Sequence, residues 1–137
     1  AEALRILLQV KSNVDSGHFK AIYEAGIMAL DQTSQEWIDQ RNLVYQRRRD
    51  RIMEVLPRIG LEARKPKGSL YIWARTLHGD GTEYAEKALT QALVALAPGA
   101  AYGPGGDLYV RISLGVPDDR LDVALERLQS WYASRSS

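Results

Sequence analysis

Arg111 lies in GPGGDLYVRISL, residues 103–114, where a Gly/Pro-rich loop runs straight into an alternating strand. A strand arginine has two uses. On a wet sheet face it is simply solvated; on a covered face it is a fixed cation ready for a ligand. The neighbours bear on which applies, because side chains alternate across a strand. Leu108, Val110, Ile112 and Leu114 share one face of this segment, and Tyr109, Arg111 and Ser113 share the other. A second segment repeats the pattern, with Leu70, Ile72 and Ala74 on one side and Tyr71, Trp73 and Arg75 on the other. The aliphatic faces suit a core. The opposite faces combine aromatics with arginine, where an open face more often carries Lys, Glu and Thr. Two explanations stand level on these residues: another domain or subunit covers the face, or the aromatics shelter arginine stems.

The other reactive residue types do not assemble into a catalytic set. His18 and His78 are isolated, with no carboxylate or second histidine at ligand spacing, so no metal site is expected. Asp118 and Asp119 read as helix-start residues rather than an acid/base pair. Ser113 lacks a nucleophile-elbow context. Lys11, Lys20, Lys65, Lys67 and Lys87 all stand in polar surroundings, unlike a Schiff-base lysine whose pKa an apolar pocket depresses. PGAAYGPGG leads into a strand and lacks a following Gly-Lys-Ser/Thr, so it reads as a turn-rich connection, not a phosphate loop. The run RRRDR at 47–51 is short and without interleaved aromatics. It reads as a solvated helix face with interleaved salt bridges, not a nucleic-acid surface.

The elements that position Arg111 follow from periodicity. AEALRILLQV is the tail of a helix, and KSNVDS breaks it, since Asn, Asp and Ser favour caps and turns. Asp15 or Ser16 then caps a second helix, with Phe19, Ile22, Tyr23, Gly26, Ile27 and Leu30 on one side. Residues 34–58 form a long helix closed by Pro57 and Gly60. LEARK is a short strand, KPKGS a turn, LYIWART a strand, GTEYAEKALTQAL a helix, VALAPG a short strand, LYVRISL a strand and VPDDRLDVALERLQSWYAS a final helix. The expected architecture is α/β in the broad sense, an α+β domain with a small, largely antiparallel sheet and helices packed on one face.

Composition agrees with a globular domain and excludes several classes. The 137 residues are 45% hydrophobic and 26% charged, with a net charge of +1 and no cysteine. The balanced charge points to neither nucleic acid nor an anionic membrane. Without cysteine there is no disulfide, thiolate metal site or cysteine nucleophile. No apolar run is long enough to span a bilayer and no signal-peptide pattern opens these residues, so a cytoplasmic location is expected.

Three separated stretches carry a resemblance. PKGSLYIWA at 66–74 and PGAAYGPGGDLYVRISLGVPDDRLDVALERL at 98–128 resemble the C-terminal part of class I/II aminotransferases, the pyridoxal-phosphate enzymes of fold type I. KSNVDSGHFKAIYEAGIMAL at 11–30 is similar to the branch that includes LL-diaminopimelate aminotransferase. The resemblance covers nearly the whole chain. It implies the family's small C-terminal domain over residues 32–137, with residues 1–31 as the interdomain helical segment. It implies that Arg111 binds the substrate α-carboxylate, since a guanidinium fork pairs with a carboxylate through two parallel hydrogen bonds. Gly68 matches a Pro-x-Gly segment near the substrate, and the lack of a Cβ there leaves room for close approach. Asn13, Asp15 and Ser16 match a loop that approaches the partner subunit's active site, although a turn-and-cap role suits each equally.

The family's Ser-x-x-Lys and Gly-x-Arg-x-Gly motifs, its cofactor aspartate, its ring-stacking aromatic and its phosphate site are not in these residues. The resemblance therefore implies a fragment of an enzyme that moves an amino group between an amino acid and a 2-oxo acid. Pyridoxal 5'-phosphate, a large N-terminal domain and a homodimeric state belong to the intact enzyme. The fragment alone is expected to be inactive. Two rivals come from other classes: a free-standing α+β module that holds a small carboxylate through Arg111, and a protein-interaction domain docking through its aromatic/arginine faces.

Overall fold

The computed structural model describes residues 2–15, 17 and 19–135. Three helices come first: α1 (Glu2–Val14), α2 (Lys20–Gln32) and α3 (Gln35–Val55). A 3₁₀ turn at Leu56–Ile59 ends at Gly60, whose φ of 70° is the left-handed conformation that glycine adopts without a Cβ penalty. The remainder is β1 (Leu61–Glu62), β2 (Tyr71–Thr76), α4 (Gly81–Gln91), β3 (Ala97–Pro98), a 3₁₀ turn at Gly99–Tyr102, β4 (Tyr109–Ser113) and α5 (Asp118–Ser134). The sheet order is β1-β2-β4-β3, and every pairing is antiparallel. The expected mixed architecture with a small antiparallel sheet is the one observed.

The chain divides into two compact units, Ala1–Gln40 and Arg41–Ser137. Every described residue of the first unit is exposed, including apolar ones such as Leu7, Phe19 and Leu30. The second unit owns the core. Burial alternates strictly along β2, so Ile72 and Ala74 face inward with Val110 and Ile112 of β4. Ile52, Leu56 and Ile59 meet them from the end of α3 and the turn after it, Leu61 joins from β1, and α4 adds Tyr84, Ala85 and Ala88. α5 contributes Leu121, Leu125, Leu128 and Trp131, spaced at three and four residues as one helix face requires. Each fully buried aliphatic side chain contributes about 1.5–3 kcal/mol relative to exposure. Polar groups that enter this core are partnered. The Tyr84 hydroxyl donates to the Ile59 carbonyl at 2.7 Å, and Trp131 Nε1 donates to Gln91 Oε1 at 2.8 Å. Burial pushes the Tyr84 hydroxyl pKa well up, so the group stays a neutral donor.

The first two helices depart from the expected boundaries. α1 does not break at KSNVDS but runs on to Val14. Ser12 Oγ and Asn13 Nδ2 both donate to the Gln9 carbonyl, at 3.0 and 2.8 Å, so these residues bond back into the helix instead of opening a turn. Asp15 does not cap α2. Its N–H donates to the Lys11 carbonyl at 2.7 Å and its carboxylate pairs with Lys11 at 3.3 Å, which makes it the end of α1. α2 starts at Lys20 after Phe19, which offers no side-chain cap.

The RRRDR run is the other correction. Arg48, Arg49 and Asp50 are half-buried, not solvated. Arg48 pairs with Asp118 and donates to the Leu114 carbonyl at 3.1 Å, and Arg51 pairs with Asp122, so the run ties α3 to α5. Arg49 pairs with Asp50 at 2.8 Å and donates to the Pro66 carbonyl at 3.1 Å, fixing the turn before β2. Arg49, and then Lys65 at 2.8 Å, hold the Asp50 carboxyl down at about 2, below its ordinary 3.8. A pKa lowered on folding contributes stability that is complete above the ordinary value and lost as pH falls through the folded one. The melting-temperature gap between the wild type and Asp50→Asn is therefore expected to be constant above pH ~4 and to close towards pH 2. A gap that ignores pH would rule out this ion-pair cluster.

Candidate functional site

The outward faces of β2 and β4 form the candidate site. Their register places Trp73 opposite Arg111, Tyr71 opposite Ser113 and Arg75 opposite Tyr109. Arg111 is half-buried, and its Cζ lies 4.1 Å from the centroid of the Tyr71 ring and 4.6 Å from that of Tyr102. Trp73 stacks on Tyr109 with 5.4 Å between centroids and 16° between planes, and meets Tyr102 edge-on at 5.8 Å. Among the described residues no carboxylate or carbonyl oxygen takes an N–H from the Arg111 guanidinium. Arg75 differs, because it pairs with Glu62 at 3.1 Å. A guanidinium flanked by rings and lacking an anionic partner can accept a carboxylate through two parallel hydrogen bonds without first breaking an internal ion pair.

Backbone contact sets the loop that delivers Tyr102. Gly99 and Gly106 pack backbone to backbone: a Cβ on Gly99 would overlap the Gly106 carbonyl oxygen, and one on Gly106 would overlap that of Gly99. The Tyr109 N–H donates to the Gly106 carbonyl at 2.9 Å, and Ala97 pairs with Arg111 across β3 and β4. The turn at 99–102 is thereby pinned beside β4. Sequence reasoning treated PGAAYGPGG as a plain connection and passed over Tyr102. The available signal was a lone aromatic within a run of small residues, where no core demands one.

The other predicted residues lie elsewhere. Gly68 lines an open cleft of ≈ 560 Å³ bordered also by Arg41, Tyr45, Arg49 and Lys67, and Arg111 is not in its wall. A Cβ on Gly68 would meet nothing within 4 Å. The left-handed residue of this turn is its neighbour Ser69, with φ 79°. Tyr71, three residues beyond Gly68, is the link to Arg111. Asn13 and Asp15 belong to the first unit, with the helix-end bonds given above, and Ser16 lies outside the described residues.

These residues do not form a pyridoxal-phosphate site. Lys11, Lys20, Lys65 and Lys87 are ion-paired with Asp15, Glu24, Asp50 and Glu83, and Lys67 is exposed at the rim of the open cleft. None stands in a closed apolar pocket of the kind that poises an amine for a Schiff base. Among the described residues there is no cluster of His, Cys, Asp or Glu able to hold a metal, and no helix long and apolar enough to cross a membrane.

Known proteins similar to the chain are consistent in kind. The family profile for aminotransferase class I and II matches residues 1–128. LL-diaminopimelate aminotransferase from Dehalococcoides mccartyi is 42% identical over 132 residues, covering 96% of this chain and 34% of that protein. The Moorella thermoacetica enzyme of the same name is 40% identical over 130 residues, covering 94% and 33%. Among solved structures, the aromatic aminotransferase from Pyrococcus horikoshii superposes with a TM-score of 0.71 at 33% identity, covering 77% of this chain and 29% of that one. A Methanococcus jannaschii protein, described as similar in its active site to kynurenine aminotransferases, superposes with a TM-score of 0.83 at 26% identity, covering 96% and 36%. The chain spans about a third of the length of the curated relatives it matches.

Proposed function

The chain belongs to the class I and II aminotransferases, and from that premise we propose that it serves a longer pyridoxal-phosphate enzyme by holding the substrate α-carboxylate on Arg111. That enzyme transfers an amino group between an amino acid and a 2-oxo acid. The observation that carries the reading is the Arg111 guanidinium, flanked by Tyr71 and Tyr102 and without an anionic partner among the described residues. Its fork matches the two carboxylate oxygens, and fixing them orients the Cα–H bond for proton removal. Arg111 supplies orientation and takes no proton itself.

Residues 32–137 act as the small domain in this reading, and residues 1–31 as the helical segment leading to the large one. The exposed apolar side chains of α1 and α2 support a covering partner, since monomeric proteins rarely leave so much apolar surface bare. We assign that role to the large domain, which also supplies the cofactor and its lysine. Gly68, in its open turn, leaves space at the approach to the substrate. Asn13, Asp15 and Ser16 are assigned to the loop that nears the second subunit's site in a homodimer.

The 137-residue chain, folded by circular dichroism and given pyridoxal 5'-phosphate, is expected to show neither transamination nor cofactor retained through gel filtration. The longer protein carrying it is expected to show both. Transamination by the 137 residues alone would overturn the division of labour. Carboxylate binding with no transamination in either form would favour the free-standing module instead.

A further inference from the structure

We propose that Tyr71 and Tyr102 are positioning residues that hold the Arg111 guanidinium in place for its ligand. The inference rests on the assignment of Arg111 to the substrate carboxylate. An arginine on an outward strand face, with no ion-pair partner, ordinarily spreads over many rotamers. Here the contacts that confine its head group, among the described residues, are two rings, with Cζ 4.1 and 4.6 Å from their centroids. A ring attracts the cation through its quadrupole and takes no place that an oxygen acceptor would fill. The guanidinium is thus confined while its donors stay available for two parallel bonds to a carboxylate.

The two rings reach Arg111 from different elements. Tyr71 opens β2, two register positions from the Trp73–Arg111 pair and on the same face of the sheet. Tyr102 arrives on the 99–102 turn and is braced edge-on by Trp73 at 5.8 Å. Neither tyrosine hydroxyl has a hydrogen-bond partner among the described residues, so the ring rather than the hydroxyl performs the task. Both side chains are about half exposed, at 40% and 51%, so replacing either leaves the core intact.

The test is a double-mutant cycle in the longer aminotransferase carrying this chain, with steady-state kinetics for its amino acid. Tyr71→Leu and Tyr102→Leu are each expected to lower kcat/KM about tenfold, mainly through KM. Tyr71→Phe and Tyr102→Phe keep the ring and are expected to stay within about twofold of the wild type. In an Arg111→Ala background the leucine substitutions are expected to add nothing further. Leucine variants that match the wild type, or that cost as much without Arg111 as with it, would overturn the positioning role while leaving Arg111 as the carboxylate anchor. If Arg111→Ala by itself left KM unchanged, the anchor assignment would fall and the positioning role with it.

Discussion

Replacing Arg111 by lysine in an aminotransferase that carries this chain is expected to cut kcat/KM for the amino acid about thirty-fold, the equivalent of one charge-assisted hydrogen bond of about 2 kcal/mol. Lysine keeps the charge but presents a point donor instead of a planar fork, so it forms one strong bond where arginine forms two. Alanine removes both bonds and the charge, and a loss of about a thousandfold or more is expected. The loss should fall on substrate capture. The cofactor's absorbance should be unchanged, because Arg111 is assigned to the substrate and not to the cofactor. Stability should fall by no more than about 1 kcal/mol, because Arg111 holds no ion pair among the described residues and its ring contacts are partly exposed. Steady-state kinetics and a melting curve on the same preparation check both statements. An Arg111→Lys enzyme with normal KM would remove the residue from the site.

The largest effect on the fold is expected at Gly81. The first turn of α4 lies directly on β4: the Gly81 N–H donates to the Asp107 carbonyl at 2.6 Å, and the backbone atoms of Tyr109 occupy the space that a Cβ on Gly81 would take. Backbone cannot move aside as a flexible side chain would. Gly81→Ala must therefore lift the helix from the strand or bend the strand that carries Arg111. Overpacking of this kind costs about 3 kcal/mol, enough to lower the melting temperature by about 10 °C in a domain of this size. The cap of α4 cannot compensate, since Asp80 already accepts the Glu83 N–H at 2.7 Å. Gly68→Ala is the control, because a Cβ there meets nothing within 4 Å. A Gly81→Ala protein that melts with the wild type would show that α4 and β4 do not pack this closely.

Most of the second unit was legible because its patterns are strong. LYIWART and LYVRISL alternate with period two, and burial along β2 and β4 follows that alternation. The long helix and α5 carry their apolar residues at helical spacing, and Ile52, Leu56, Leu121, Leu125 and Leu128 are buried as that spacing demands. The ends of α1 and α2 were not legible. Ser12 and Asn13 favour turns by type, yet each bonded back to the Gln9 carbonyl once the helix had formed, a local competition that composition cannot decide. RRRDR was misread as a solvated face because its partners, Asp118, Asp122 and the carbonyls of Pro66 and Leu114, are distant in sequence. Alternation alone put Trp73 and Arg111 each on the non-aliphatic face of its strand, and the pairing of β2 with β4 makes those faces one. Tyr102 was not legible, because its place beside Arg111 depends on two glycine backbones touching across a loop.

If Arg111 reads the substrate's α-carboxylate, its loss must erase the enzyme's preference for substrates that carry one. The most direct measurement compares kcat/KM for an amino acid and for the amine that lacks only that carboxylate, in the longer enzyme and in its Arg111→Ala variant. A strong preference for the amino acid is expected in the wild type and should collapse by about two orders of magnitude or more in the variant, while turnover of the amine is nearly unchanged. A preference that survives the loss of Arg111 would contradict that role.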